Sequence, residues 1–243
     1  MDTLLLLLLD SRSPAGGHHH SGGMEAAVGA GFVRDLGGVE QFCRGRLRTS
    51  GRVAAAFAAA ACQAWLGPVA GAGAAGRPAT GPSWTQAAQW QALDVEFSAR
   101  TPSEAMRHAS RQLGSGLRRL LRSMLPAHDL VTPWAGCGGP APHHPLVLGA
   151  GVALAGGDAT LAARAAGLGL CTSSASAAVR LLGLDPYAVQ QMLARVAPDI
   201  DALALHSVGF AAGAPQSLPA HGAPGLDLLA DAHATGEVRL FAS

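Results

Sequence analysis

The chain has 243 residues, of which 49% are hydrophobic and only 14% charged, and its 17 basic and 16 acidic residues leave a formal net charge of +1. That balance gives no electrostatic reason for nucleic acid or an anionic membrane to be the main partner, and the length suffices for one substantial core. Every basic residue is an arginine, which excludes a P-loop lysine, a Schiff-base nucleophile and a kinase-type lysine.

Any nucleotide hydrolysis near this chain therefore belongs to a partner. So poorly charged a surface suits burial inside a complex, although alanine, a weak hydrophobe, also swells the hydrophobic count.

Leu4 to Leu9 is too short for a signal peptide's apolar core, follows Asp2 without a basic segment and stops at Asp10. It reads as the first turns of a buried helix, within an end segment, 1–12, that is expected to be flexible. Asp35 is placed to cap a helix carrying Val39, Phe42, Cys43 and Leu47 on one side. Val53 to Gly76 is apolar apart from Gln63, but alanine and glycine dominate it and Pro68 interrupts it. It predicts a core helix running into a loop, not a membrane span.

Residues 67–82, rich in Gly, Ala and Pro, read as a flexible connection. Ser83 to Gln86 has the spacing of a capping box. Pro102 is expected at the first helical position of the next helix. In that helix Met106, Leu113, Leu117, Leu120 and Met124 share one face. Arg107, Arg111, Arg118 and Arg122 share an adjacent face, expected to be solvated or salt-bridged.

Residues 134–143 form the next expected loop, and Leu146 to Leu184 offers small residues for close helix packing. Asp185-Pro186 opens a helix over Tyr187 to Val196, and 211–224 is expected to be flexible. Strand signals are nearly absent, with Ile200 the only isoleucine. The expected fold is all-α, a single-domain helical bundle over 1–243.

His18 to His20 and the pair His143-His144 invite a metal argument, since neutral imidazole suits nickel, zinc and copper. Adjacent histidines on a regular element point different ways, however, and no preformed metal site is expected. Cys43, Cys62, Cys137 and Cys171 have no zinc-ligand spacing. They read as free, buried thiols of a reducing, cytoplasmic compartment. No G-x-S-x-G or H-E-x-x-H motif occurs, no catalytic residue is assigned, and binding is favoured over catalysis.

Specific stretches carry a family resemblance. Ser13 to Glu25 holds Pro14, the pair Gly16-Gly17, His18, Ser21 and Gly23-Met24-Glu25. Met106 to Leu117 contains a Ser-Arg-x-x-Gly core; His143 to Gly149, Ser176 to Leu181 and the ending Glu237 to Ser243 follow in order. Together they resemble the UreF family of urease accessory proteins along nearly the whole chain. His18 stands where many members have Tyr or Phe, and Gly183-Leu184-Asp185-Pro186 replaces a common Pro-Leu-Gly-Gln.

The resemblance implies an all-helical homodimer that is not an enzyme. It implies as partners the nickel-carrying GTPase UreG, the scaffold UreD (UreH in some organisms) and apo-urease. No permanent cofactor is implied, and nickel is expected only in transit through the complex. The residues it points to for partner binding are His18, Ser21, Glu25, Arg180, Arg239, Leu240 and Phe241. Competing readings are an independent nickel-binding metallochaperone using the histidines, a membrane-associated helical protein using Val53 to Gly76, and a DNA-binding regulator using Arg44, Arg46, Arg48 and Arg52 as phosphate contacts.

Overall fold

A computed structural model describes residues 3–10, 20–67, 84–130, 134, 137 and 142–234. Among these residues no strand forms. The helices, in chain order, are α1 (Thr3–Leu9), α2 (Met24–Gly29), α3 (Leu36–Arg48), α4 (Ser50–Leu66), α5 (Trp84–Ala99), α6 (Glu104–Met124), α7 (His144–Leu154), α8 (Ala159–Leu182), α9 (Pro186–Val208) and α10 (Pro224–Ala234). The fold is all-α, as expected.

Local chemistry starts these helices. Asp35 accepts the Gly38 N–H at 2.8 Å and opens α3, whose Val39, Cys43 and Leu47 are buried. Asp158 does the same for α8 through Leu161 N–H. Asp185 accepts from both Tyr187 and Ala188, with Pro186 in the first turn of α9. At α6 the expectation is corrected. Ser103 is the cap, accepting Met106 N–H at 3.1 Å, so Pro102 lies one residue outside the helix. The Ser103 hydroxyl is itself fixed by donation to Asp231 at 2.6 Å.

Packing corrects two further expectations. The buried residues of α6 are Ala109, Gly114, Leu117 and Leu121, so the helix is rolled away from the Met106–Leu113–Leu120–Met124 stripe. The roll brings Gly114 against the next connection, where a Cβ would lie 2.1 Å from the Pro142 carbonyl oxygen. Helix α9 does not end at Val196 but runs through Pro198 to Val208, because Ile200, Leu203, Ala204 and Ser207 continue its buried face. Burial there outweighs the backbone hydrogen bond that proline removes.

Helix α4 lies at the centre. Its buried residues run from Gly51 to Ala64, and it packs most extensively on α7 and α8. One core, around Phe57, Trp90, Leu121, Trp134 and Leu146, gathers α4, α5, α6 and α7. A second, around Met24, Val39, Cys43, Met192 and Val196, gathers α2, α3, α8 and α9. Alanines of α4 serve both, Ala56 and Ala60 in the first, Ala55 and Ala59 in the second. The small residues of α7 and α8 give the close packing expected of them. α8 is the one described helix long and apolar enough to cross a membrane, and here it packs on α4, α9, α7, α3 and α2.

Two segments expected to be flexible carry packed structure. α1 places Leu5 and Leu8 in the first core. Between α9 and α10, Ala211 and Leu218 are buried, and the Arg100 guanidinium donates to the carbonyls of Gln216, Leu218 and Pro219. Trp134 is buried within the third. Apart from Gly67, the 67–82 connection lies outside the described residues, and so does the side-chain chemistry of Ser83 to Gln86.

Candidate functional site

The pair Gly16-Gly17 lies outside the described residues, whereas the two glycines just before α2 have a steric reason to be there. Gly22 and Gly23 both take left-handed backbone angles, φ 61° and 88°, which L side chains rarely adopt. They turn the chain into α2 between Ser21 and Met24, both fully buried. Ser21 Oγ accepts the Glu25 N–H at 3.3 Å, satisfying one of the orphan donors of the new helix. Ser21 thus helps to cap α2, from two residues before Gly23. In this chain Ser21 is inaccessible and acts by shaping the corner.

Beneath the turn lies Arg46 of α3, only 7% exposed. Its Nη1 donates to Ser174 Oγ at 3.0 Å on α8, with the Leu170 carbonyl at 3.5 Å. Among the described residues its Nε has no hydrogen-bond partner, and no carboxylate pairs with it. Burial holds its guanidinium below the ordinary arginine value. A Cβ on Gly22 would sit 2.3 Å from that Nη1, so the turn fits over the arginine only as glycine. The sequence carried a signal for this burial, since position 46 follows Val39 and Cys43 on the inward face of α3.

Beside Arg46, Cys43 and Cys171 meet across α3 and α8, the Cys43 thiol 3.9 Å from the Cys171 carbonyl. A hydrogen bond between the thiols lowers the Cys43 pKa and raises that of Cys171. Burial pushes Cys62 and Cys137 up to about 12, which leaves them poor nucleophiles. All four are free thiols, Cys137 only half-buried.

The other side of α2 faces α10. Glu25 Oε2 lies 3.1 Å from Nε2 of His233, which ties α2 to α10. A shallow cleft of about 420 Å³ opens there, lined by Glu25, Val28, Leu181, Leu229 and His233. Arg180, next to Leu181, is exposed in the last turn of α8, where a cation suits the helix dipole. The departing loop is built simply: Gly183 ends α8 at φ 62° and Asp185 caps α9. The corner thus brings Ser21 and Glu25 close to the end of α8. His18, Arg239, Leu240 and Phe241 lie outside the described residues.

A second polar cluster was not foreseen. Asp94 of α5, 1% exposed, takes a two-point contact from Arg111 of α6 at 2.9 and 3.2 Å, and also accepts the His143 N–H at 3.2 Å. His143 Nε2 is 2.8 Å from Ser98 Oγ, and its ring packs on Phe97 with centroids 4.7 Å apart. Burial, with Arg111 adding to it, lowers the His143 pKa to about 4. The imidazole is neutral near pH 7 and committed to clamping α5, α6 and α7. Part of the arginine row on α6 is therefore salt-bridged, as expected. Among the described residues, no three His, Cys, Asp or Glu side chains gather to hold a metal ion.

The four arginines offered as phosphate contacts do not act together. Arg44 is paired with Glu40 and Asp199, Arg46 is buried, and only Arg48 and Arg52 are left to the surface.

The UreF family model matches residues 33–197. The chain belongs to the UreF family. Its UreF relatives include the urease accessory protein UreF of Mycobacterium sp. strain JLS, 41% identical over 99% of this chain and 98% of the relative. That of Mycolicibacterium vanbaalenii is 42% identical over 98% and 97%, and that of Mycobacterium marinum 37% over 99% and 98%. A UreF protein is an accessory factor of urease maturation and not an enzyme.

Proposed function

We propose that the chain acts as a non-catalytic adaptor, a single helical domain working as a homodimer in the cytoplasm. It bridges the nickel-carrying GTPase UreG and the scaffold UreD or UreH, so that GTP hydrolysis is coupled to nickel insertion into apo-urease. Nickel is cargo in this reading, and no metal is permanently held. The observation that carries it is the Gly22–Gly23 turn locked over Arg46. A chain without lysine or a catalytic motif uses a left-handed glycine pair and a buried arginine that meets no carboxylate among the described residues to fix a surface corner, as a recognition surface requires.

Arg180 and Glu25 belong to that corner, and the ending Arg239, Leu240 and Phe241 follows from α10, which forms its roof. Arginine and phenylalanine supply a charge-assisted donor and an apolar anchor for the GTPase to read. Deleting Arg239 to Ser243 is expected to abolish UreG recruitment in a pull-down while helicity by circular dichroism is kept. Normal recruitment by the truncated chain overturns the tail's role. Removing the whole chain from cells expressing the urease genes should lower urease nickel content; full metallation without it overturns the adaptor reading. Stoichiometric nickel binding by the isolated, untagged protein would favour the metallochaperone instead.

A further inference from the structure

Helix α3, the start of α4 and the second half of α9 enclose another cleft, of about 260 Å³. Arg44, Arg48, Arg52 and His206 stand around it, with Asp199 the only carboxylate in its lining. Its cations are not equivalent. Arg44 is taken up by Asp199 and by Glu40 at 3.1 Å, and Arg195 holds the same Glu40 at 2.7 Å. Arg48 is exposed, and among the described residues it makes no hydrogen bond or ion pair. Arg52 reaches the ring nitrogen of His221, at 3.2 Å. Two guanidinium groups thus face one opening with no anion on them among the described residues. Its apolar lining is a floor of Leu47, Ala202 and Leu203, and Leu205, the residue before His206 on α9, is 69% exposed.

We propose that this cleft docks an acidic segment of a partner protein that carries aliphatic side chains among its carboxylates. The proposal rests on the adaptor reading and adds a second contact surface, on the α3–α9 side of the molecule. Arginine forks match carboxylates in two-point geometry, and an aliphatic side chain covers the Leu203 floor. A nucleic-acid backbone would use the charges but leave that floor bare. The surplus of positive charge also steers an acidic segment to the cleft before contact.

The test uses the full chain and a fluorescent dodecapeptide with glutamate and leucine at helical spacing, followed by anisotropy at low and high salt. A peptide with lysine in place of glutamate and a short duplex DNA serve as comparisons. The acidic peptide should bind, more weakly at high salt, and the R48A/R52A variant should lose roughly tenfold in affinity or more. Arg164→Ala, whose residue is paired with Asp201 outside the cleft, should leave binding unchanged. Equal binding by R48A/R52A, no binding by the wild type, or tighter binding of the duplex overturns the proposal. Urease nickel content in cells lacking the chain is scored separately: its failure to fall removes the adaptor reading, whereas a failure confined to the peptide assay removes only this cleft.

Discussion

Gly149 of α7 passes Ala58 of α4 so closely that a Cβ on Gly149 would lie 2.3 Å from the Ala58 carbonyl oxygen. The same Cβ would be 2.8 Å from Ala61 Cβ and from the backbone nitrogen of Cys62. Two of these are helix backbone atoms and the third is a Cβ fixed directly to the helix, so none can swing aside as a side-chain tip does. Gly149→Ala should therefore cost about 3 kcal/mol, seen as a lower urea midpoint at unchanged slope. A wild-type midpoint would mean that α4 and α7 separate without loss.

At Gly22 the obstacle is a side chain. Gly22→Ala places a Cβ in a left-handed conformation, which costs about 1–2 kcal/mol, and displaces Arg46 from Ser174. Arg46→Met fills the space of the arginine stem without a buried unpaired charge and leaves out the terminal nitrogen under Gly22, so its stability should equal or exceed the wild type. Combining the two should cost less than Gly22→Ala alone, because the clash is gone. Additive melting shifts would show that Gly22 and Arg46 do not compete for one space.

Asp94 holds Arg111 and the His143 amide together, so Asp94→Asn breaks a buried pair and misplaces a donor. The expected loss is about 3 kcal/mol, at the low end for buried pairs because Arg111 keeps partial access to solvent. Chemical denaturation measures it. A loss below about 1 kcal/mol would show that the clamp behaves as a surface ion pair.

His143 makes stability depend on pH in a defined direction. Its folded value, about 4, lies below the ordinary 6.5, so the unfolded chain binds the proton first. The stabilisation is complete above 6.5 and is lost as pH falls towards 4, by an amount on the order of 2–3 kcal/mol. His143→Gln, which keeps a polar group near Ser98, should flatten this part of the acid limb. An unchanged slope between those two pH values would assign it to other groups.

What could be read from the sequence was what depends on neighbours along the chain. Asp35 and Asp185 announce their helices because a cap bonds to the next turn, and the buried side of α3 follows from its period. The roll of α6 was hidden because Gly114 is chosen by Pro142, a distant residue. The reach of α9 was hidden because a proline reads as a stop until the burial beyond it is known. At the corner, Ser21, Gly23 and Glu25 stood out by their pattern, whereas Gly22 did not. Arg46 lay among three similar arginines, and His233 is brought to Glu25 only by the docking of α10.

Trp65, Trp90 and Trp134 meet with ring centroids 5.9 Å apart, all on the α4–α5 side of the molecule, while the core beneath α3 and α9 contains no tryptophan. Indole emission from this trio therefore watches one half of the molecule, whereas far-ultraviolet dichroism watches every helix. If the halves open independently, the two melting curves will separate. Coincident curves would mark α4, whose alanines line both halves, as the spine that makes them yield together.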